Sequence, residues 1–184
     1  MMVITELARN NFNQISFMGG FTSAFLRIPS GISAADFAAE TADRIRKCVG
    51  GSSECMGVQY AQGFDWLHLE GFSDSAGNPM LQWFDGESIS LMAQTTSDVY
   101  AFDHRNEGQK LRRLIVCEWE VHTNAGEEEE WEKQARDQYA TKYGESADGW
   151  PRMFDADQVI DAFKLPSPWS NRPPLKWDID IRLP

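Results

Sequence analysis

The stretch VYAFDHRNEGQKLRRLIVCEWEVH, residues 99–122, carries the signal on which the architecture turns. Val99 to Asp103 reads as a short strand. Arg105-Asn106-Glu107-Gly108 then supplies turn chemistry, with Gly108 free to take a positive φ. From Lys110 to His122 the residues alternate. One face holds Leu111, Arg113, Ile115, Cys117, Trp119 and Val121; the other holds Arg112, Leu114, Val116, Glu118, Glu120 and His122. A long, half-buried antiparallel strand produces this pattern, so the stretch reads as a β-hairpin.

On its C-terminal side, Glu127 to Tyr143 returns to helical spacing, with Trp131, Ala135, Tyr139 and Tyr143 recurring every four residues. Four glutamates stand at its start, where the helix dipole favours negative charge. Asp155 with Gln158 marks the N-terminus of another helix through Phe163, and Pro166, Pro168, Pro173 and Pro174 then force an irregular segment. Leu175, Trp177, Ile179, Ile181 and Leu183 alternate with Lys176, Asp178, Asp180 and Arg182, which predicts a C-terminal strand that completes the sheet. Toward the N-terminus, Phe21 to Ile28 reads as a strand buried on both faces. Ser33 with Asp36 caps a helix from about Ala34 to Val49, ended by Gly50-Gly51. Gly57–Tyr60 and Phe64–Phe72 read as strands, Asp74–Pro79 as a turn, Met80–Phe84 as a returning strand and Glu87–Thr95 as a short helix.

Strand runs mixed with helices predict α+β: a single domain with a mainly antiparallel sheet packed with two or three helices. Residues 1–165 form its body, and the Pro-rich segment and C-terminal strand, 166–184, pack on the same domain. A chain of 184 residues with 42% hydrophobic and 24% charged composition has enough apolar surface for such a core. No apolar stretch approaches the roughly 20 residues that span a bilayer, and Met1–Arg9 lacks the charge-then-apolar order of a secretory signal. Three cysteines, Cys48, Cys55 and Cys117, are too sparse for a disulfide framework and predict free thiols and a cytoplasmic location.

The net charge is −11, and it is segregated along the chain. From Cys48 to His104 there are eight acids and no Lys or Arg; from Leu114 to Glu132 there are seven acids and again no cation, so the rest of the chain carries +4. Such a surface disfavours nucleic acid and anionic membranes as direct partners and suits a basic protein. Solubility alone is the plainer reading of the same acidity.

Motifs with chemistry are few. Glu118, Glu120 and His122 alternate on the predicted strand, and His68 and Glu70 share that spacing on another. If those strands were neighbours, five side chains would cluster for metal-assisted or acid–base hydrolysis; the competing reading is a solvated sheet face. Cys117 among Ile115, Trp119 and Val121 reads as a small buried hydrophobe rather than a nucleophile. Cys48 and Cys55 match no zinc pair, and neither Gly19-Gly20 nor Gly50-Gly51 has the flanks of a phosphate loop, so no cofactor is expected. Seven Trp and eleven Phe are many for this length; Trp150 and Trp169 sit on loops, where they serve either as binding anchors or as packing for the Pro-rich segment.

With its small size, acidic runs, many tryptophans, mixed sheet and the Val99–His122 hairpin, the chain resembles bacterial immunity proteins that neutralise secreted or contact-delivered toxins, and phage-encoded inhibitors of host defence. That resemblance implies a binding protein without catalysis: an acidic inhibitor that occludes a basic partner such as a toxin or nuclease. Glu118, Glu120, Glu127, Glu128, Glu129, Glu130 and Trp131 are the expected interface. The alternatives are a structural or oligomeric module, with the C-terminal strand pairing between two chains, and the hydrolase.

Overall fold

The computed structural model describes residues 21–48, 55–71, 84–94, 98–118, 120–144, 149–150, 154, 156–167 and 175–183. Among the described residues eight strands form one sheet: β1 (Phe21–Arg27), β2 (Gly57–Tyr60), β3 (Trp66–Glu70), β4 (Ser88–Gln94), β5 (Val99–Asn106), β6 (Gln109–Cys117), β7 (Glu120–Gly126) and β8 (Ile179–Arg182). The spatial order is β7-β6-β5-β4-β1-β3-β2-β8, with every neighbour antiparallel. Among the described residues three helices accompany it: α1 (Ala34–Cys48), α2 (Glu130–Tyr143) and α3 (Ala156–Phe163). The predicted α+β class with a mainly antiparallel sheet is what forms.

β1 is central because its residues alternate between two cores. Ala24 and Leu26 join Phe37, Ala42 and Ile45 of α1 with Val58, Leu67 and Leu69. Phe25 points the other way, into Trp66, Leu91, Phe102, Leu114 and Val116 under Trp131, Val159 and Ile160 of α2 and α3. Period-two alternation on a strand covered on both sides gives a near-continuous apolar run, which is how Phe21–Ile28 reads. Ser33 caps α1, accepting from the Asp36 N–H at 3.1 Å. Trp66 Nε1 donates to the Phe163 carbonyl at 3.1 Å and ties α3 to β3.

Two predicted elements differ. Glu87–Thr95 is not a helix; Ser88–Gln94 is strand β4, buried on both faces between β1 and β5. Its Leu91-Met92-Ala93-Gln94 core has good helical propensity, but two flanking strands satisfy its backbone, and tertiary pairing overrides the local preference. The strand predicted over Lys110–His122 is broken: β6 ends at Cys117, Glu118 turns at φ 48°, and the chain returns as β7. The β5–β6 turn is as expected, with Glu107 and Gly108 at φ 50° and 72°, the signs a tight two-residue hairpin needs. β8 pairs with β2 of the same chain, Val58 opposite Ile181. The predicted turn at Asp74–Pro79, residues 80–83 of the returning strand, the Gly50-Gly51 stop, the Asp155 cap, Trp119 and Trp169 lie outside the described residues. No helix among the described residues is long and apolar enough to cross a membrane.

Candidate functional site

The strand order separates the five residues of the hydrolase reading. His68 and Glu70 lie on β3, and Glu120 and His122 on β7. Four strands intervene, so at about 4.8 Å per strand the two groups are about 24 Å apart. Glu118, Glu120 and His122 do not share a face either. Glu118 is in the turn, and β7 carries a bulge: Val121 faces Val116 and Thr123 faces Ile115, leaving His122 without an opposite residue. An extra residue shifts the alternation by one. Among the described residues no three His, Cys, Asp or Glu side chains gather as a metal-binding group. Burial pushes the Cys55 thiol up to about 11, and its Sγ lies 3.5 Å from the Gly57 carbonyl; Cys117 is half-buried.

The glutamates before and within α2 divide by environment. Glu128 pairs with Arg136 at 2.8 Å and Glu130 with Lys133 at 3.4 Å. Glu129 accepts from Trp131 Nε1 at 2.8 Å and meets His104 Nδ1 at 2.5 Å. Glu132 is fully buried and receives Arg112 through two bonds, Nε to Oε1 at 2.7 Å and Nη2 to Oε2 at 2.6 Å. The Glu129 N–H also donates to Glu132 Oε1, at 3.3 Å, which closes the start of the helix. Internal cations therefore neutralise most of the run that read as an acidic surface. Trp131 is no surface anchor: it is buried against Phe102 and Trp150, edge to face at 5.4 and 5.9 Å. Trp150 too is core. Helical spacing makes Trp131, Ala135 and Tyr139 one stripe, and the stripe faces the sheet because that side offers apolar area.

What remains unneutralised lies elsewhere. Glu118, Glu120 and Glu127 are exposed and form no ion pair among the described residues. Glu118 and Glu120 share one end of the sheet with Asp98. The Glu118 N–H donates to the Asp98 carbonyl at 3.1 Å, and both residues have positive φ, 48° and 46°. Glu120 stands beside them, paired with Cys117 at the start of β7. Glu127 follows the far end of β7, about 20 Å away along the strand. Asp98 joins this corner only through the β5–β6 pairing Val99–Cys117, which no local pattern announces.

A second polar line, of which the sequence points only to His68 and Glu70, crosses β1, β3, β2 and β8. Gln59 donates its amide to Asp180 Oδ1 at 3.1 Å and Glu70 Oε2 at 3.4 Å. Its Oε1 therefore faces His68 Nδ1, 2.8 Å away, and takes that proton. His68 Nε2 is left to meet the Ser23 hydroxyl at 2.9 Å. Ser23 Oγ also lies 2.8 Å from the Thr22 carbonyl. A serine against an imidazole with an orienting acceptor is the geometry of an activated nucleophile. Here, however, Ser23 and His68 are both 0% exposed, and Trp177 stacks on the ring at 5.3 Å and 8°. Burial pushes His68 down to about 3, so the ring is neutral. In this arrangement the line satisfies buried polar groups and presents no surface to a substrate.

Compared with known proteins, the chain matches no protein-family model, no curated protein and no solved structure.

Proposed function

We propose that the protein is an acidic protein-binding inhibitor of the immunity or anti-defence kind, and that it meets a basic partner through the corner formed by Asp98, Glu118 and Glu120. The observation that carries this reading is the contrast in neutralisation. Glu128, Glu130 and Glu132 are matched by cations of their own chain and Glu129 is held by the His104 ring, whereas the corner carboxylates are not matched among the described residues. A carboxylate already paired internally contributes little to attracting a second cation; an unpaired exposed one contributes to long-range steering. Non-glycine residues at positive φ carry a conformational cost and concentrate where function holds them, and the corner has two in hydrogen-bonded contact. The cytoplasm is the compartment in which its free thiols fit.

The test uses the full chain, immobilised in native cell extract, to recover a basic partner, followed by association kinetics with the purified partner. The E118Q/E120Q double variant slows association about tenfold at low salt and flattens its salt dependence. E127Q changes it little. Equal association rates for wild type and the double variant, or recovery of no basic protein, overturns the proposal.

A further inference from the structure

The charges around His104 close to zero only when its ring is doubly protonated. Nδ1 meets Glu129 Oε1 at 2.5 Å, and Nε2 lies 3.3 Å from Glu87 Oε1. Glu87 is held on its other oxygen by Arg27 Nη1 at 2.7 Å. Beside them, Arg112 is the cross-strand neighbour of His104, and its buried pair with Glu132 is already neutral. The ring otherwise touches Phe102 of β5 and Phe163 of α3, which bring no charge. Of its chain neighbours, Asp103 pairs with Arg105 at 3.0 Å and also with Lys110 and Arg113, each at 3.3 Å. The cluster thus has three acids, Glu87, Glu129 and Glu132, against Arg27, Arg112 and the imidazolium. A neutral imidazole has one N–H and one lone pair, so it would turn the lone pair on one of the two carboxylates.

We propose that His104 is the latch of a pH-sensitive device: the charged ring clamps the first turn of α2, through Glu129, to Glu87 beside β4, and loss of the ring proton releases that turn. Burial opposes the charge on His104, but the hydrogen bond and charge of Glu129, joined by the charge of Glu87, outweigh it and raise its pKa. A base whose folded pKa is raised stabilises the fold fully below its unfolded value of about 6.5, and that contribution is lost as pH climbs through the higher folded value. The latch is therefore closed while the ring keeps both protons and opens as pH climbs through the raised folded value. Because Trp131 Nε1–H rests on the same Glu129 carboxylate at 2.8 Å, its indole proton reports the state of the turn.

The experiment follows hydrogen exchange of the Trp131 indole N–H and of the Lys133 amide, which donates to the Glu129 carbonyl, by NMR on the full chain. Rates are corrected for intrinsic base catalysis. Between pH 6.5 and 9.5, wild-type protection falls about tenfold or more. In E87Q a neutral His104 can keep Nδ1–H on Glu129 and accept on Nε2 from the amide that replaces the Glu87 carboxylate, so protection stays constant. In H104Q no proton is lost in this range and protection is again constant; if H104Q does not fold, E87Q alone decides. Unchanged protection in the wild type, or a fall in E87Q equal to that of the wild type, overturns the latch.

Discussion

Replacing Glu132 by Gln keeps the side chain's shape and removes its charge from one of the most buried positions in the molecule. Glu132 is 0% exposed and Arg112 1%, and two hydrogen bonds of 2.7 and 2.6 Å join them in parallel. Arg112 Nη1 additionally donates to the carbonyls of Ala125 at 3.0 Å and Gly126 at 3.4 Å, so the guanidinium cannot swing out to water without abandoning β7. Breaking one side of a buried pair costs about 3–5 kcal/mol, because the surviving charge is left uncompensated. E132Q should fall near the lower end, about 3 kcal/mol, since the amide oxygen still accepts one bond. R112M leaves a lone buried carboxylate and falls higher. Removing both charges, in R112M/E132L, should return to within about 1 kcal/mol of the wild type, because a well-packed apolar pair avoids the desolvation penalty altogether. The two exposed carbonyls of β7 then turn to water. Urea denaturation at pH 7 measures all three from midpoint and slope, and against a typical total of about 5–15 kcal/mol the single effects are large. An E132Q loss under about 1 kcal/mol at unchanged slope would show that the buried charge is not held as described. A double variant whose loss equals or exceeds that of R112M would show the same.

Two further outcomes follow from buried geometry. His68 refuses in the folded state the proton that the unfolded chain takes, so stability is complete above about pH 6.5 and falls by about 1.4 kcal/mol per pH unit as pH drops toward its folded value of about 3. Denaturant midpoints between pH 6.5 and 4 measure this, and H68Q should flatten the slope; an equal slope in H68Q removes His68 as its source. Gly126 has φ 87°, and a Cβ there would lie 2.0 Å from the Leu111 carbonyl oxygen. Strain of about 1–2 kcal/mol at that φ and about 1–3 kcal/mol of overcrowding make G126A costly, whereas G108A, at φ 72° with open space, incurs only the strain. Equal midpoints for the two variants would contradict the close approach.

Much of the fold is legible locally because the signals are local. The alternation from Lys110 to Cys117, the double-sided apolar run at Phe21–Ile28 and the four-residue stripe from Trp131 to Tyr139 each follow from the period of one element, and each appears in the structure. β4 is hidden because burial on both faces erases its contrast and its Leu-Met-Ala-Gln core suits a helix. The turn at Glu118 is hidden because alternation continues formally through it: Cys117 and Val121 keep the same parity on either side of the reversal. The candidate site is less legible still. His104 and Arg112 look like solvent-facing residues in a charged hairpin, and only β5–β6 register puts them side by side beneath α2.

The α+β class, most of the elements, the antiparallel hairpin and the excess of negative charge are properties of the chain at short range, because periodicity, capping and composition need no distant partner. Which acids remain available is a property of the folded molecule alone. Whether a glutamate is neutralised depends on which cation lies within about 4 Å. Those partners, His104 for Glu129 and Arg112 for Glu132, come from strands 25 and 20 residues away. Pairing and burial are set by strand order and register, and no short-range pattern encodes them.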